Sequence, residues 1–456
     1  MSGPSRATPP RRPHLRLVRL ALLVALALLG VRAALASAAF MAPGGTILGW
    51  SQLPSAHCPF CAVRAALPQP NQPHVPPLTP ESYAALLAQH LALDDELGQL
   101  MMVQIAGADL SPDTIQMVNA QGAGGILFFT PNIQSGDQIR ALTAQSQRIA
   151  PVPLLLSIDE EGGTVNRFSS LVGPLPSAAS LASPAQARQQ GQRHAALLRQ
   201  YGFNLNLAPV VDVGTSNPQL WSRTFGSSPA RVSAMASAYL EGLQQSGQVT
   251  GCLKHFPGLG DTATDPHLGM PVLNRSRADW ERIDLAPYRA LLKRDDVRAI
   301  QVSHEMIPAV DPDLPTSLSP TIISGILRRE LGYTGVVITD SLYMGALNQR
   351  WSVSQAIVLA VAAGADVVIG PYNPQMVQDA KDALRRALDA GTLTRARIDE
   401  SVRRILALKI RMGLIPLPHP SYLSPRRSEP ATGTPAAGGV GAPTTVLRNE
   451  KNVIGR

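Results

Sequence analysis

Eight short runs of apolar and β-branched residues recur through the middle of the chain, with stretches of helical apolar spacing between them. The runs are LMMVQI (100–105), GGILFF (124–129), PLLLSI (153–158), NLAPVV (206–211), GCLKHF (251–256), AIQVSH (299–304), GVVIT (335–339) and DVVIG (366–370). Stretches such as QARQQGQRHAALLRQYG, SPARVSAMASAYLEGLQQSG and TIISGILRRELG end at glycine, a common helix stop. Strands that alternate with helices pair in parallel, and eight such units is the count at which the sheet closes. The expected fold is an α/β, TIM-like (β/α)8 barrel forming a single catalytic domain.

In a parallel barrel the carboxyl ends of all strands share one face, where active sites of this fold are built. Asp159 ends the third run, Asp212 the fourth, Lys254 and His255 lie in the fifth, His304 ends the sixth and Asp340 the seventh. The loop after the fifth run, within KHFPGLGDTATDPHLGMP (254–271), carries aspartates and histidines among prolines and glycines that exclude a continuous helix or strand. Asp340 stands where a rigid strand could aim a nucleophile or a stabilising anion, or where it could cap the next turn. Asp265 and His267 are two apart, and in an extended loop such side chains point the same way. A carboxylate beside an imidazole fixes its tautomer and stabilises its charged form, which suits acid/base work near neutral pH; the same pair is equally compatible with a simple turn. Lys254 at a strand end also fits a Schiff-base nucleophile.

Other classes find little support. The segment SIDEEGGTVNRF (157–168) ends its acids in a Gly-Gly turn, and neither a G-x-G-x-x-G nor a Walker pattern is present. No histidine pair has HExxH spacing, and His304-Glu305 is a weak metal pointer, so no metal or other cofactor is expected. The net charge of +8 resides at the ends: residues 1–36 hold Arg6, Arg11, Arg12, Arg16, Arg19 and Arg32 without an acid, and residues 417–456 are also basic. The body between is close to neutral, which argues against a nucleic-acid partner.

The arginine-rich start is followed by LALLVALALLGV (20–31) and then by AALASAA, the order of an export signal with a cut after Ala36 or Ala38. The alternative is a retained membrane anchor; the expected location is extracytoplasmic in either case. Residues 39–81 are a proline-rich linker holding Cys58 and Cys61, which reads as a small local disulfide or, less simply, a redox pair. Cys252, in an apolar run, reads as a buried thiol. The catalytic region is bounded at 82–416, and 417–456 is a low-complexity tail with a disordered composition.

Seven segments in order, LDDELGQLMMVQ, LSIDEEGGTVNRF, LAPVVDV, SRTFGSSP, KHFPGLGDTATDPH, SHEMIPAVDPDLPTSLSP and GYTGVVITDSLYMGAL, together resemble glycoside hydrolase family 3. The likeness is greatest to its single-domain, NagZ-type β-N-acetylglucosaminidases and runs over about residues 82–415. The resemblance implies retaining hydrolysis of a terminal β-N-acetylglucosamine. It implies Asp340 as nucleophile, His267 as acid/base oriented by Asp265, and Asp159, Arg167, Arg223, Lys254 and His255 as residues holding the sugar. The partner is then a carbohydrate, from cell wall, chitin or another glycan, handled by a monomer. A family 3 β-glucosidase and a non-catalytic sugar-binding relative are the alternatives. Leu259 stands where the subgroup usually has a second histidine, Pro266 where it has serine, and the segment from Asp212 to Arg223 is short.

Overall fold

The computed structural model describes residues 78–215, 217–265 and 267–418. The N-terminal apolar run, Cys58, Cys61, most of the proline-rich linker, Pro266 and the tail beyond residue 418 lie outside the described residues. Among the described residues no helix is long and apolar enough to cross a membrane.

Eight parallel strands close in chain order: β1 (Met101–Gln104), β2 (Gly125–Phe128), β3 (Leu155–Ile158), β4 (Leu205–Asn206), β5 (Thr250–Phe256), β6 (Ala299–Val302), β7 (Val336–Ser341) and β8 (Val367–Ile369). The seam pairs β1 with β8, Met101 opposite Val368 and Met102 opposite Ile369. Each expected run thus holds a strand. The fourth differs from expectation: the ladder stops at Asn206 instead of running to Val211. Pro209 has no N–H to give the ladder. The chain stays beside β5 nonetheless: the Ala208 carbonyl accepts from the Cys252 N–H at 2.9 Å, the Pro209 carbonyl from that of Lys254 at 3.2 Å, and the Val211 N–H donates to the Lys254 carbonyl at 2.6 Å.

β5 is the longest strand and all seven of its residues are buried. Its register against β6 shifts between Leu253 and Phe256. Irregularities of this kind re-aim side chains. Here the shift lets the adjacent residues Lys254 and His255 both line one cleft, where a regular strand would send them to opposite faces.

The helices begin as their sequences dictate. Ser183, Ser228 and Asn373 accept backbone N–H bonds from Gln186, Arg231 and Met376, and Pro184, Pro229 and Pro374 follow in the first turn, where a missing N–H costs nothing. Helices Pro184–Gln200 and Pro229–Gln244 meet backbone to backbone. A Cβ on Gly191 would lie 2.2 Å from the Tyr239 carbonyl oxygen, and one on Gly242 would lie 2.1 Å from that of Arg188. That approach brings the Tyr239 hydroxyl within 2.7 Å of His194 Nδ1, where it also accepts from the Asn206 amide of β4 at 3.1 Å.

The amino-terminal end of the barrel is tied by charge. Asp366, just before β8, receives Arg328 at 2.6 Å, Arg397 at 2.9 Å and Arg404 at 3.1 Å. Burial works to raise its pKa, but the three guanidiniums prevail and hold it at about 2. Cys252 is buried and free, as its apolar surroundings predicted.

Candidate active site

The carboxyl ends of the strands open into a cleft of about 500 Å³, within the usual size for a small-ligand site. All eight residues to which the resemblance gives a role line it: Asp159, Arg167, Arg223, Lys254, His255, Asp265, His267 and Asp340.

Its floor is an ion-pair lattice. Lys254 reaches Asp159 Oδ1 at 2.5 Å and Glu161 Oε1 at 2.7 Å, with its own side chain only 2% exposed. Arg223 grips Glu161 with two parallel bonds of 2.7 and 2.8 Å, and Arg167 lies 3.8 Å from Asp159. Burial would raise the pKa of Glu161; Arg223 and Lys254 overwhelm that and hold it well below the carboxylate range. The lattice presents fixed cations and anions to a polar ligand without reorganisation. It also places Lys254 in permanent ion pairs, and its pKa is raised: burial opposes, Asp159 and Glu161 prevail. A Schiff-base lysine needs the opposite.

Glu161 was not among the residues read from the sequence, although a signal existed. Along an extended chain Asp159 and Glu161 share one side and Glu160 points to the other. Glu160 indeed turns inward, accepting the Arg167 N–H at 2.8 Å, with His194 3.8 Å away. Burial, opposed by backbone N–H groups, pushes its pKa up to about 7.

Asp212 organises the next wall. It accepts from His255 Nδ1–H at 2.7 Å and from the Leu259 N–H at 2.7 Å, so His255 is left with Nε2 for the cleft it lines. Leu259, where a histidine was expected by resemblance, is buried, and its main chain anchors the loop.

Asp340 lies at the end of β7, one carboxylate oxygen accepting the Ser341 N–H at 2.8 Å. Burial works to raise its pKa; the imidazoles of His304 and His255, that N–H and Lys254 hold it below the ordinary value. His304 is buried with Nε2–H donating to the Ser341 carbonyl at 2.9 Å and Nδ1 2.7 Å from the Ser317 hydroxyl. Both its nitrogens are engaged within the protein, and burial lifts the pKa of Glu305 well above normal, which leaves that pair poorly suited to a metal.

The Asp265–His267 pair meets through a turn, one of the two geometries its spacing allowed. Asp265 Oδ1 accepts both the His267 N–H at 2.9 Å and Nδ1 at 2.7 Å, while the Asp265 carbonyl accepts the N–H groups of Leu268 and Gly269. Aspartate favours such turns because its side chain replaces a backbone acceptor two residues on. The loop's stem is fixed: Asn217 bonds the Leu259 carbonyl and Thr262, Arg275 pairs with Asp261 and Asp284, and Leu273 bonds Met306. At the tip the His267 side chain is 73% exposed at the cleft mouth. The tip rests on Gly345 beyond β7, where a Cβ would lie 2.5 Å from the His267 carbonyl oxygen.

Residues 92–408 match the model of the glycosyl hydrolase family 3 N-terminal domain. The chain belongs to glycoside hydrolase family 3. A β-hexosaminidase of Stenotrophomonas maltophilia (strain K279a) is 32% identical over 304 residues, covering 64% of this family 3 chain and 90% of the relative. The solved β-N-acetylhexosaminidase of Beutenbergia cavernae superposes with a TM-score of 0.63 at 30% identity, over 70% of this chain and 98% of that one. A family 3 β-N-acetylglucosaminidase from Paenibacillus sp. str. FPU-7 gives a TM-score of 0.68 at 37% identity; this chain covers 63% of its length and 71% of its own.

Proposed function

We propose that this chain is a retaining β-N-acetylglucosaminidase. The single observation that carries the reading is the bonded Asp265–His267 pair at the mouth of the cleft that Asp340 lines from β7. A retaining glycosidase needs a nucleophile on one side of the bond and a proton donor on the other. Asp340, held ionised, attacks the anomeric carbon as the glycosidic bond breaks, and His267 gives its proton to the departing oxygen. The negative charge of Asp265 stabilises the imidazolium. Its pKa is lowered even though burial opposes this, because it accepts two bonds from His267. In the second half-reaction His267 takes a proton from water, the hydroxyl adds to the anomeric carbon, and Asp340 departs as carboxylate. Asp159, Glu161, Arg167, Arg223, Lys254 and His255 hold the sugar's hydroxyls.

Curated relatives named as β-hexosaminidases support N-acetylglucosamine as the sugar released. Release of nitrophenol from its β-N-acetylglucosaminide, with little from the β-glucoside, is the expected result; the reverse preference assigns a β-glucosidase, and sugar binding without turnover a non-catalytic relative. The basic, apolar and small-residue order of residues 1–38 supports export, with cell-wall fragments or chitin oligomers as substrates. N-terminal sequencing should find a mature chain starting near Ser37 or Ala39, and full-length protein confined to the cytosol would refute that location.

A further inference from the structure

We propose that Tyr343 and Tyr372 form the subsite for the leaving group, taking a second pyranose ring just outside the sugar-binding floor; this rests on the glycosidase reading above. The chemistry fixes where that ring lies, because the departing oxygen must stand beside its proton donor. The donor's own backbone touches the loop after β7: a Cβ on Gly345 would meet the carbonyl oxygen of His267 at 2.5 Å and the carbonyl carbon of Leu268 at 3.4 Å. Tyr343, two residues earlier in that loop, lines the cleft. The leaving group and Tyr343 therefore share one side of the mouth.

The tyrosine is held in place. Its ring lies on the backbone of Gly370, where a Cβ would come within 2.6 and 2.7 Å of two ring carbons. Its other neighbour is Tyr372, ring centroids 5.6 Å apart and planes inclined at 61°. Tyr372 does not itself line the cleft but packs on the ring that does, and it is 51% exposed, one of few large apolar side chains left so open among the described residues; Leu268, beside the proton donor, is another. A ring lining a polar cleft, an exposed ring packed on it and an exposed leucine next to the proton donor would be a poor arrangement for an enzyme that met only the terminal sugar. They fit a ring with an apolar C–H face and hydroxyls around its edge, since tyrosine offers an apolar body and a polar tip.

The test compares kcat/KM for N,N′-diacetylchitobiose with that for β-N-acetylglucosaminyl fluoride, whose leaving group is a single atom. In Tyr372→Ala the disaccharide-to-fluoride ratio should fall about five- to tenfold, and Tyr372→Trp should restore it. An unchanged ratio in Tyr372→Ala, or no recovery with tryptophan, overturns the subsite. Wild-type protein inert on both substrates overturns the glycosidase reading and the subsite with it, a result visible before any variant is made.

Discussion

His267 and Glu161 sit at opposite extremes of exposure, and their predicted effects differ accordingly. His267 is bonded to one carboxylate and otherwise open, so its loss should act on proton transfer alone. His267→Ala is expected to slow poor leaving groups by about 10²–10⁴ while sparing activated nitrophenolates that depart unprotonated. Equal losses across a leaving-group series would show that the imidazole only positions sugar. Glu161→Gln instead takes from Arg223 its ion-pair partner and from buried Lys254 one of its two, leaving it Asp159. Breaking one partner of a buried pair costs about 3–5 kcal/mol, so both stability and sugar binding should fall. The sign with pH follows from its depressed pKa: the contribution is complete above the ordinary carboxylate value and is lost as pH falls through the native one. Thermal unfolding from pH 7 to pH 3 should therefore show the variant's deficit shrinking towards low pH, and a constant deficit would contradict it. Much of the site was legible at this scale because strand ends collect catalytic groups. Glu161 was obscured in a run of three acids, where the two-residue alternation alone separates the pair facing the cleft from the one turned inward.

Among elements, the loop after β5 carries the most consequence. Its stem is tied by Asn217, Arg275 and the Leu273–Met306 bond, and its tip leans on Gly345. Gly345→Ala puts a methyl against the His267 carbonyl and must displace the tip or the helix Gly345–Asn348. A misplacement of about 1 Å at a catalytic group can cost 10²-fold. The variant should lose kcat/KM for poor leaving groups by about that factor, with Tm little changed and good leaving groups less affected. Full activity on both would show that the tip does not need this seat. Such detail was not legible in the sequence: D-x-H reads equally as an extended pair or a turn, and only tertiary contacts decide. The same limit applied to β4, whose apolar run continues beyond Asn206, where its ladder stops.

At the scale of the whole molecule the barrel was legible, because eight apolar runs with helices between them have few other solutions. Its two ends divide the labour. The cleft occupies the carboxyl end, whereas Asp366 and its three arginines tie the amino end. Asp366→Asn should destabilise by about 3–5 kcal/mol, read as a lowered denaturation midpoint, while kcat/KM at a temperature where the variant is folded stays at the wild-type value. A matching loss of activity would show that the ends are coupled. Covalent glycoside hydrolysis from Asp340 can be read by mass mapping. Protein incubated with a ring-fluorinated β-N-acetylglucosaminyl fluoride, which slows breakdown of the intermediate, should gain one glycosyl group on the peptide bearing Asp340. A label on any other residue, or turnover of ordinary substrate with inverted anomeric configuration, would contradict it.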